Sequence, residues 1–135
     1  MIKERNDKNM EEKLGIHLYE IKKAASFGLI ELSKHALTRM SERRIDAFEL
    51  YEMITNRSTR ICQYKAVGKY HNSKPRFVLW CKSNKRVIHV VVEKYGKFIY
   101  KVITVYEPSS AIFKDNGRYV KKQQDRNRTK LALHY

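Results

Sequence analysis

The sequence predicts an α+β domain in which N-terminal helices pack on a four-stranded antiparallel sheet. Apolar residues recur at helical spacing up to about residue 56, and beyond it they follow the spacing of extended strands. The connections between the predicted strands are too short for parallel crossovers. A chain of 135 residues also has the length of a single domain with a modest core.

The first predicted element is an amphipathic helix at about 8–26. Its apolar face is formed by Met10, Leu14, Leu18, Ile21 and Ala25. Asp7 is a candidate N-cap, and Gly28 is placed to end the helix. His17 is interpreted as an ordinary helix-face histidine. We therefore delimit residues 1–28 as an N-terminal helical segment.

A second helix, within 33–46, separates polar from apolar side chains. At 100° per residue, His35, Arg39 and Glu42 fall within about 60° of one another. The opposite side carries Ala36, Leu37 and Met40. Ser33 is a candidate N-cap, which puts His35 near the helix end that favours an anion. A solvated basic helix face explains the same pattern.

An extended lead-in at 29–32 precedes this helix, and a third helix follows it to about Asn56. Asp46 and Glu49 form a capping-box-like start for the third helix. Its expected core face consists of Ala47, Leu50, Tyr51 and Ile54. Strands are then predicted at 59–66, 76–82, 86–93 and 97–107. Their order predicts an antiparallel meander.

Side-chain alternation gathers polar groups on the last two strands. One face of the third predicted strand carries Val87, His89 and Val91, and one face of the fourth carries Val102, Thr104 and Tyr106. We expect these two faces to lie on the same side of the sheet. Taken singly, these polar residues are typical of strands or of a hydrogen-bonded core. Together with the second helix they supply two imidazoles, two guanidiniums and a phenol, which are groups able to bind a phosphate and move its protons.

The charge balance predicts a polyanionic partner. Lys and Arg number 29 against 14 Asp and Glu, a formal charge of +15. Residues 34–113 include sixteen basic and six acidic residues, a net charge of +10. Residues 114–135 include seven basic and two acidic residues, a net charge of +5. Charge alone does not choose among RNA, DNA, an acidic membrane and an acidic protein. No stretch has the length of a membrane span and the N-terminus lacks a signal-peptide core, so we expect a cytoplasmic protein without a membrane partner.

Neither cysteines nor histidines show metal-site spacing. Cys62 and Cys81 are isolated, which favours free thiols over a disulfide. The five histidines are scattered and no HExxH motif is present, so we expect no metal and no cofactor. Basic and aromatic residues at 65–71 and Trp80 are groups that hold single-stranded RNA, but a solvated loop and a core tryptophan are the preferred interpretation.

Three motifs in this order and spacing resemble one known family. They are Ser33-x-His35-Ala36-x-x-Arg39-Met40-x-Glu42-Arg43, Arg86-x-x-His89-Val90-Val91-Val92 and Ile103-Thr104-Val105-Tyr106-Glu107-Pro108. Over about 32–108 the chain resembles the bacterial domain of unknown function 4258, itself similar to the compact ribonuclease toxins of the RelE, ParE and colicin (BECR) group. The family's usual glycine after the second helix arginine is Arg44 here, which disfavours a left-handed C-cap.

The resemblance implies a RelE-like domain at 29–113 that acts as a metal-independent, toxin-like endoribonuclease. In this reaction the 2′-OH of the RNA attacks the adjacent phosphate. His35 and His89 would be the proton-transfer pair, because a histidine with an ordinary pKa near 6.5 can accept or donate a proton at neutral pH. Which of them is the base stays open.

The other catalytic assignments follow the same resemblance. Arg39 and Arg43 would bind the phosphate through forked donors. Tyr106 would orient the 2′-OH, donate to the leaving oxygen or stack on a base. Thr104 would hold a phosphate oxygen or a partner side chain. Glu42, ranked lower, would orient His35 or pair with an arginine.

The expected partners are RNA, either tRNA or mRNA, and an acidic antitoxin or immunity protein. The RNA contacts outside the catalytic group are Lys34, Arg86, Lys121, Lys122, Arg126 and Arg128. Residues 114–135 are predicted to be a basic, RNA-gripping tail, with an ordered element packing on the sheet as the alternative. A non-catalytic nucleic-acid-binding module or regulator on a mobile element, and a protein that binds an acidic partner, are alternative functions.

Overall fold

Three helices and a five-stranded sheet form the part of the chain that the structure describes. This computed structural model describes residues 2–65, 74–84, 86–109, 113–114 and 119–120, with side chains for 9–65, 74–84 and 86–109. The elements in chain order are α1 (Ile2–Ser26), β1 (Glu31–Leu32), α2 (Lys34–Arg43), α3 (Ala47–Thr55), β2 (Arg60–Lys65), β3 (Arg76–Ser83), β4 (Arg86–Gly96), β5 (Ile99–Tyr106), β6 (Phe113–Lys114) and β7 (Tyr119–Val120).

The sheet has the order β1-β5-β4-β3-β2 and is mixed, which corrects the predicted four-stranded antiparallel sheet. The antiparallel meander from β2 to β5 is confirmed. The extended lead-in before α2 is a fifth strand, β1, which pairs in parallel with β5. A two-residue strand is too short to show alternation. Its partner also lies about 70 residues further along the chain, so local spacing cannot reveal the pairing.

α2 is fixed at its start by Ser33. The Ser33 hydroxyl accepts a hydrogen bond from the Ala36 N–H (2.9 Å), as predicted for an N-cap, and donates one to the Ile103 carbonyl (2.8 Å). The Ser33 N–H donates to the Val102 carbonyl (3.0 Å). These bonds tie the first turn of α2 to β5.

The end of α2 corrects the expectation for Arg44. This residue adopts the left-handed conformation (φ 58°, ψ 49°) although it is not a glycine. Its N–H bonds to the Met40 and Ser41 carbonyls, and the N–H of buried Ile45 donates to the Met40 carbonyl at 2.9 Å. These bonds and the burial of Ile45 offset a conformational cost of about 1–2 kcal/mol.

At the other helices Asp46 and Gly28 follow the sequence, but the predicted Asp7 N-cap is wrong, because α1 begins at Ile2 and Asp7 lies within it. The Asp46 carboxylate accepts from the Glu49 N–H at 2.7 Å, and Gly28, with φ 67°, follows α1. Leu50 and Ile54 of α3 are buried, but Ala47, predicted to face the core, is exposed at the first position of the helix.

The core lies between the three helices and one face of the sheet. The helices contribute Ile21, Ala24, Ala25, Ala36, Met40, Leu50, Met53 and Ile54 to it. The sheet contributes Phe77, Leu79, Cys81, Ile88, Val90, Val92, Tyr100, Val102 and Val105. The helix α1, delimited from the sequence as a separate segment, is therefore part of the same core.

The opposite face of the sheet, called here the far face, carries His89 and Tyr106, which are direct cross-strand partners. Val91 and Thr104 form the neighbouring pair. The predicted common face of Val102, Thr104 and Tyr106 is wrong for Val102. A register shift at Ile103 pairs Val102 with Val92 and turns it into the core, because an inserted residue reverses the alternation.

The cysteines match the prediction, since Cys62 and Cys81 are free thiols. Trp80 is buried as predicted, but it is the cross-strand partner of His89 and therefore lies on the far face. Burial raises the pKa of the half-buried Cys62 thiol to about 11 and that of the buried Cys81 thiol to about 12. Both thiols are therefore protonated at neutral pH.

Candidate functional site

One side of α2 presents a line of basic groups, called here the α2 strip, which consists of His35, Arg39 and Arg43. Lys34, at the first position of the helix, lies about 100° around the axis from His35. Lys34, His35 and Arg39 are exposed, whereas Arg43 is half-buried beside the core residue Met40. At 1.5 Å per residue the strip is about 12 Å long. Among the described residues, the His35 ring makes no hydrogen bond, ion pair or ring contact. Its imidazole is thus accessible to a ligand.

Arg43 and Arg86 meet at the C-terminal end of α2. Arg86 Nη1 donates to the Arg43 carbonyl at 2.9 Å and lies 3.8 Å from Glu107 Oε1. Arg43 Nε is buried without a hydrogen-bond partner within the described part of the chain. A buried N–H that lacks an acceptor costs about 1–3 kcal/mol, and a phosphate oxygen would supply that acceptor.

Glu42 pairs with Arg39 rather than orienting His35. Arg39 Nη1 lies 3.0 Å from Glu42 Oε2, and both side chains are exposed. An exposed pair of this kind contributes less than about 1 kcal/mol, so Arg39 can exchange Glu42 for a phosphate at little cost.

On the far face, His89 is 0% exposed and lies between Tyr106 and Cys62. His89 Nδ1 is 3.3 Å from the Tyr106 hydroxyl, and His89 Nε2 is 3.8 Å from Cys62 Sγ. The His89 and Tyr106 rings meet at 65° with centroids 5.2 Å apart. Tyr106 is half-buried, so it is the member of this pair that reaches the surface.

The structure brings together some predicted site residues and separates others. His89 contacts Tyr106, with Thr104 on the same face, and Arg43 contacts Arg86. No contact among the described residues joins His35 to His89. Ala36 of α2 packs on the core face with Val90, whereas His89, one position earlier in the strand, points to the far face. The roles assigned to these residues stay predictions.

Several predicted RNA contacts lie outside the described residues. They are Lys121, Lys122, Arg126 and Arg128 of the basic tail, together with most of the 65–71 region.

The sequence interpretation missed a cluster of ionisable groups between α1 and the β4–β5 hairpin. The Glu20 carboxylate accepts from the Tyr100 hydroxyl (2.9 Å) and the Phe98 N–H (3.2 Å), and it lies 3.5 Å from Lys94 Nζ. His17 Nδ1 is 3.4 Å from both Lys94 Nζ and the Tyr100 hydroxyl. The spacing of His17 and Glu20, three residues apart on one helix, was the available signal.

This cluster shifts the pKa of its members. Burial lowers the pKa of His17, and the nearby Lys94 charge lowers it further. Burial alone would raise the pKa of Glu20, but the hydrogen bonds from Phe98 and Tyr100 and the charge of Lys94 outweigh it, so this pKa is lower than usual. The cluster fixes α1 on the sheet.

A search for metal sites and membrane spans found neither in the part of the chain that is described. No three His, Cys, Asp or Glu side chains there are grouped as metal ligands. None of the described helices is long and apolar enough to cross a membrane.

Fold and site define an α+β domain with a basic helix at one border of a mixed sheet. The chain belongs to the family described as a domain of unknown function, DUF4258, whose model matches residues 32–107. The match covers α2, α3 and β2 to β5 and excludes the whole of α1. No curated protein and no solved structure matches the chain significantly.

Proposed function

We propose that this protein is a metal-independent, toxin-like endoribonuclease that binds RNA through the α2 strip. The supporting observation is the exposed His35 imidazole on the same side of a short helix as Arg39. These groups belong to a segment, 34–113, with a net charge of +10. Imidazole can transfer protons at neutral pH, and guanidinium matches the geometry of a phosphate.

In the proposed reaction the 2′-oxygen bonds to the adjacent phosphorus, and the bond from phosphorus to the 5′-oxygen of the next nucleotide breaks. The products are a 2′,3′-cyclic phosphate and a 5′-hydroxyl. His35 takes the proton of the 2′-OH or protonates the leaving oxygen, and a water molecule makes the other of these two proton transfers. Arg39 and Arg43 stabilise the charge that develops on the non-bridging oxygens.

The geometry favours a different role for His89 from the one assigned by resemblance. Because His89 is buried and contacts the Tyr106 hydroxyl, we assign it as a positioning residue that orients Tyr106. Tyr106, which is half-buried, is the candidate on the far face for direct contact with RNA.

The test is cleavage of total RNA by the purified protein in EDTA, with analysis of the product ends. We expect 2′,3′-cyclic phosphates, and His35→Ala should slow cleavage about 10²-fold or more, the usual contribution of a general acid or base. Leu37→Ala, also exposed on α2, is the matched control and should cleave normally. Cleavage that requires magnesium would contradict this chemistry.

A second candidate is a non-catalytic RNA-binding module. The observation that favours it is that His89 is buried on the far face and that no contact among the described residues joins it to the exposed His35, so the predicted proton-transfer pair does not meet. This candidate predicts RNA binding without cleavage in any buffer. The same EDTA experiment, repeated with magnesium and accompanied by a binding measurement, separates the two functions.

The proposed biological setting is a cytoplasmic toxin with an acidic antitoxin or immunity protein. Such a partner would cover the α2 strip, because the strip is basic and exposed. Expression of the wild-type chain should then arrest growth, and His35→Ala should not. Harmless expression of a wild-type protein that cleaves RNA in vitro would argue against a general RNA target.

A further inference from the structure

The β4–β5 hairpin and α1 present exposed aromatic and apolar side chains at the end of the sheet remote from Arg43. We call this surface the hairpin patch, and it consists of Tyr19, Lys97, Phe98 and Ile99. Tyr19 is 60% exposed, Phe98 37% and Ile99 58%. The Tyr19 and Phe98 rings meet edge to face, with centroids 6.4 Å apart and planes at 71°.

Phe98 occupies a backbone conformation that a bulky residue rarely adopts. Its φ is 60°, in the left-handed region that favours glycine. Register pairing of Gly96 with Ile99 makes Lys97 and Phe98 the two turn residues. A glycine here would remove the strain, whereas this chain places a phenyl ring on an unfavourable backbone. Strain of this kind at a surface position is a reason to ask what the side chain binds.

Glu20 of α1 holds this strained turn in place through a hydrogen bond. The Glu20 carboxylate accepts from the Phe98 N–H at 3.2 Å and from the Tyr100 hydroxyl at 2.9 Å. The Phe98 backbone is therefore anchored while its ring stays at the surface. This preorganised arrangement lowers the cost of ordering the ring on binding.

The charge around the patch indicates which kind of ligand it fits. Lys97 Nζ lies 5.8 Å from the centre of the Phe98 ring. A second copy of a chain with a formal charge of +15 would be repelled. Exposed aromatic rings beside lysines are the combination that holds single-stranded nucleic acid, by base stacking and phosphate pairing.

We propose that the hairpin patch binds single-stranded RNA and forms a second contact for the strand held by the α2 strip. This inference rests on the proposed RNA ligand, but it does not require cleavage. At about 3.3 Å per residue, the eight positions from Phe98 to Tyr106 span about 25 Å. A strand with a rise of about 3.4 Å per stacked nucleotide covers this distance with about eight nucleotides. Tyr19 lies outside the family match, so the patch is not built from the matched domain alone.

The experiment measures the affinity of the full chain for fluorescent 2′-O-methyl oligoadenylate of 12 nucleotides. This RNA cannot form the cyclic phosphate, so the result is independent of cleavage. Phe98→Gly should weaken binding of the 12-mer about tenfold, the loss of one stacked base. It should also leave the melting temperature unchanged or raise it, because glycine relieves the backbone strain. Phe48→Ala is the matched control, since Phe48 is 72% exposed on α3, and it should bind RNA as the wild type does.

Two further measurements separate stacking from general electrostatics. Lys97→Gln should flatten the log-log salt dependence of binding by about 0.7, whereas Phe98→Gly should leave that slope unchanged. A 12-base-pair RNA duplex, whose bases are not available for stacking, should bind Phe98→Gly and wild type equally.

Three results would overturn the proposal. The first is that Phe98→Gly and the wild type bind the 12-mer with equal affinity, which would favour a protein as the ligand of the hairpin patch. The second is an equal loss for the 12-mer and the duplex. The third is a concentration-dependent wild-type dimer that Phe98→Gly abolishes. If no RNA binds the wild type at all, the proposed function fails with it, whereas binding without cleavage leaves this proposal intact.

Discussion

The α2 strip and the far face carry the same kinds of chemical group in opposite surroundings. His35 is exposed on α2, whereas His89 is 0% exposed and contacts Tyr106 and Cys62. The sequence motifs that contain these two histidines do not show that one is exposed and the other buried. Burial does, because only the exposed imidazole can touch a phosphodiester without a rearrangement of the sheet.

A third histidine lies between these extremes. His17 is half-buried and packs against the rings of Phe77 and Tyr64, with centroids 4.8 and 6.1 Å away. It is therefore more than an ordinary helix-face histidine, because it joins α1 to the sheet. The three imidazoles thus offer a graded comparison of exposure and role.

The largest expected effect is on stability and separates His89 from His35. His89→Ala should lower the free energy of unfolding by about 2–4 kcal/mol, because it leaves a cavity beneath Tyr106. His35→Ala should change it by less than about 0.5 kcal/mol, as is usual for an exposed residue. Urea denaturation measures both values. Equal losses from the two substitutions would remove the contrast between the two regions.

A substitution at the C-terminal end of α2 should change the free energy of unfolding by a smaller amount and in the opposite direction. Arg44→Gly should raise the free energy of unfolding by about 1 kcal/mol, since glycine adopts φ 58° without strain. Arg57→Gly, an exposed position without a positive φ, is the matched control and should not stabilise the protein. Thermal unfolding of both variants measures the difference. A loss of stability in Arg44→Gly would mean that the Arg44 side chain, rather than the backbone bonds, supports this cap.

The α2 strip should contribute to RNA affinity through charge. Arg39→Gln should flatten the log-log salt dependence of single-stranded RNA binding by about 0.7, the loss of one phosphate contact. Arg57→Gln removes the same charge from an exposed site outside the strip and should leave the slope unchanged. Equal slopes for the two variants would place the RNA elsewhere on the basic surface.

The smallest expected effect concerns pH and the His17 cluster. The folded protein lowers the pKa of His17 through burial and Lys94, so the unfolded chain binds the proton more readily. Stability should therefore fall as pH drops below about 6.5, the ordinary pKa of histidine. His17→Gln should reduce this dependence between about pH 6.5 and pH 5. The groups that face His17 are Lys94, Glu20 and Tyr100. Because the pKa of Glu20 is lower than its usual value of 4.5, Glu20 changes stability only below about pH 4.5, outside the range that this prediction concerns.

Urea denaturation of wild type and His17→Gln at pH 7.5 and pH 5.5 tests this prediction. His35→Ala is the control, because it removes an imidazole that makes no contact with the His17 cluster among the described residues. A wild-type protein that gains stability on acidification over this range would contradict the assigned direction.

The sequence by itself determined the local elements, because their signals are local. Ser33 and Asp46 cap helices as their side chains predict, and the antiparallel strands lie close to their predicted positions. Helical spacing also separated exposed His35 and Arg39 from buried Ala36 and Met40. Each of these features depends on hydrogen bonds or side-chain spacing within a few residues.

Only the tertiary structure decided which groups share a surface. β4 is apolar at both alternating sets of positions, so its sequence does not show which set faces the helices. The register shift at Ile103 placed Val102 in the core, away from Thr104 and Tyr106. Residues distant in sequence meet where β1 pairs with β5 and where Glu20 approaches Phe98. His35 and His89, by contrast, do not meet among the described residues. Such contacts depend on how complete elements pack, and spacing within one element carries no information about them.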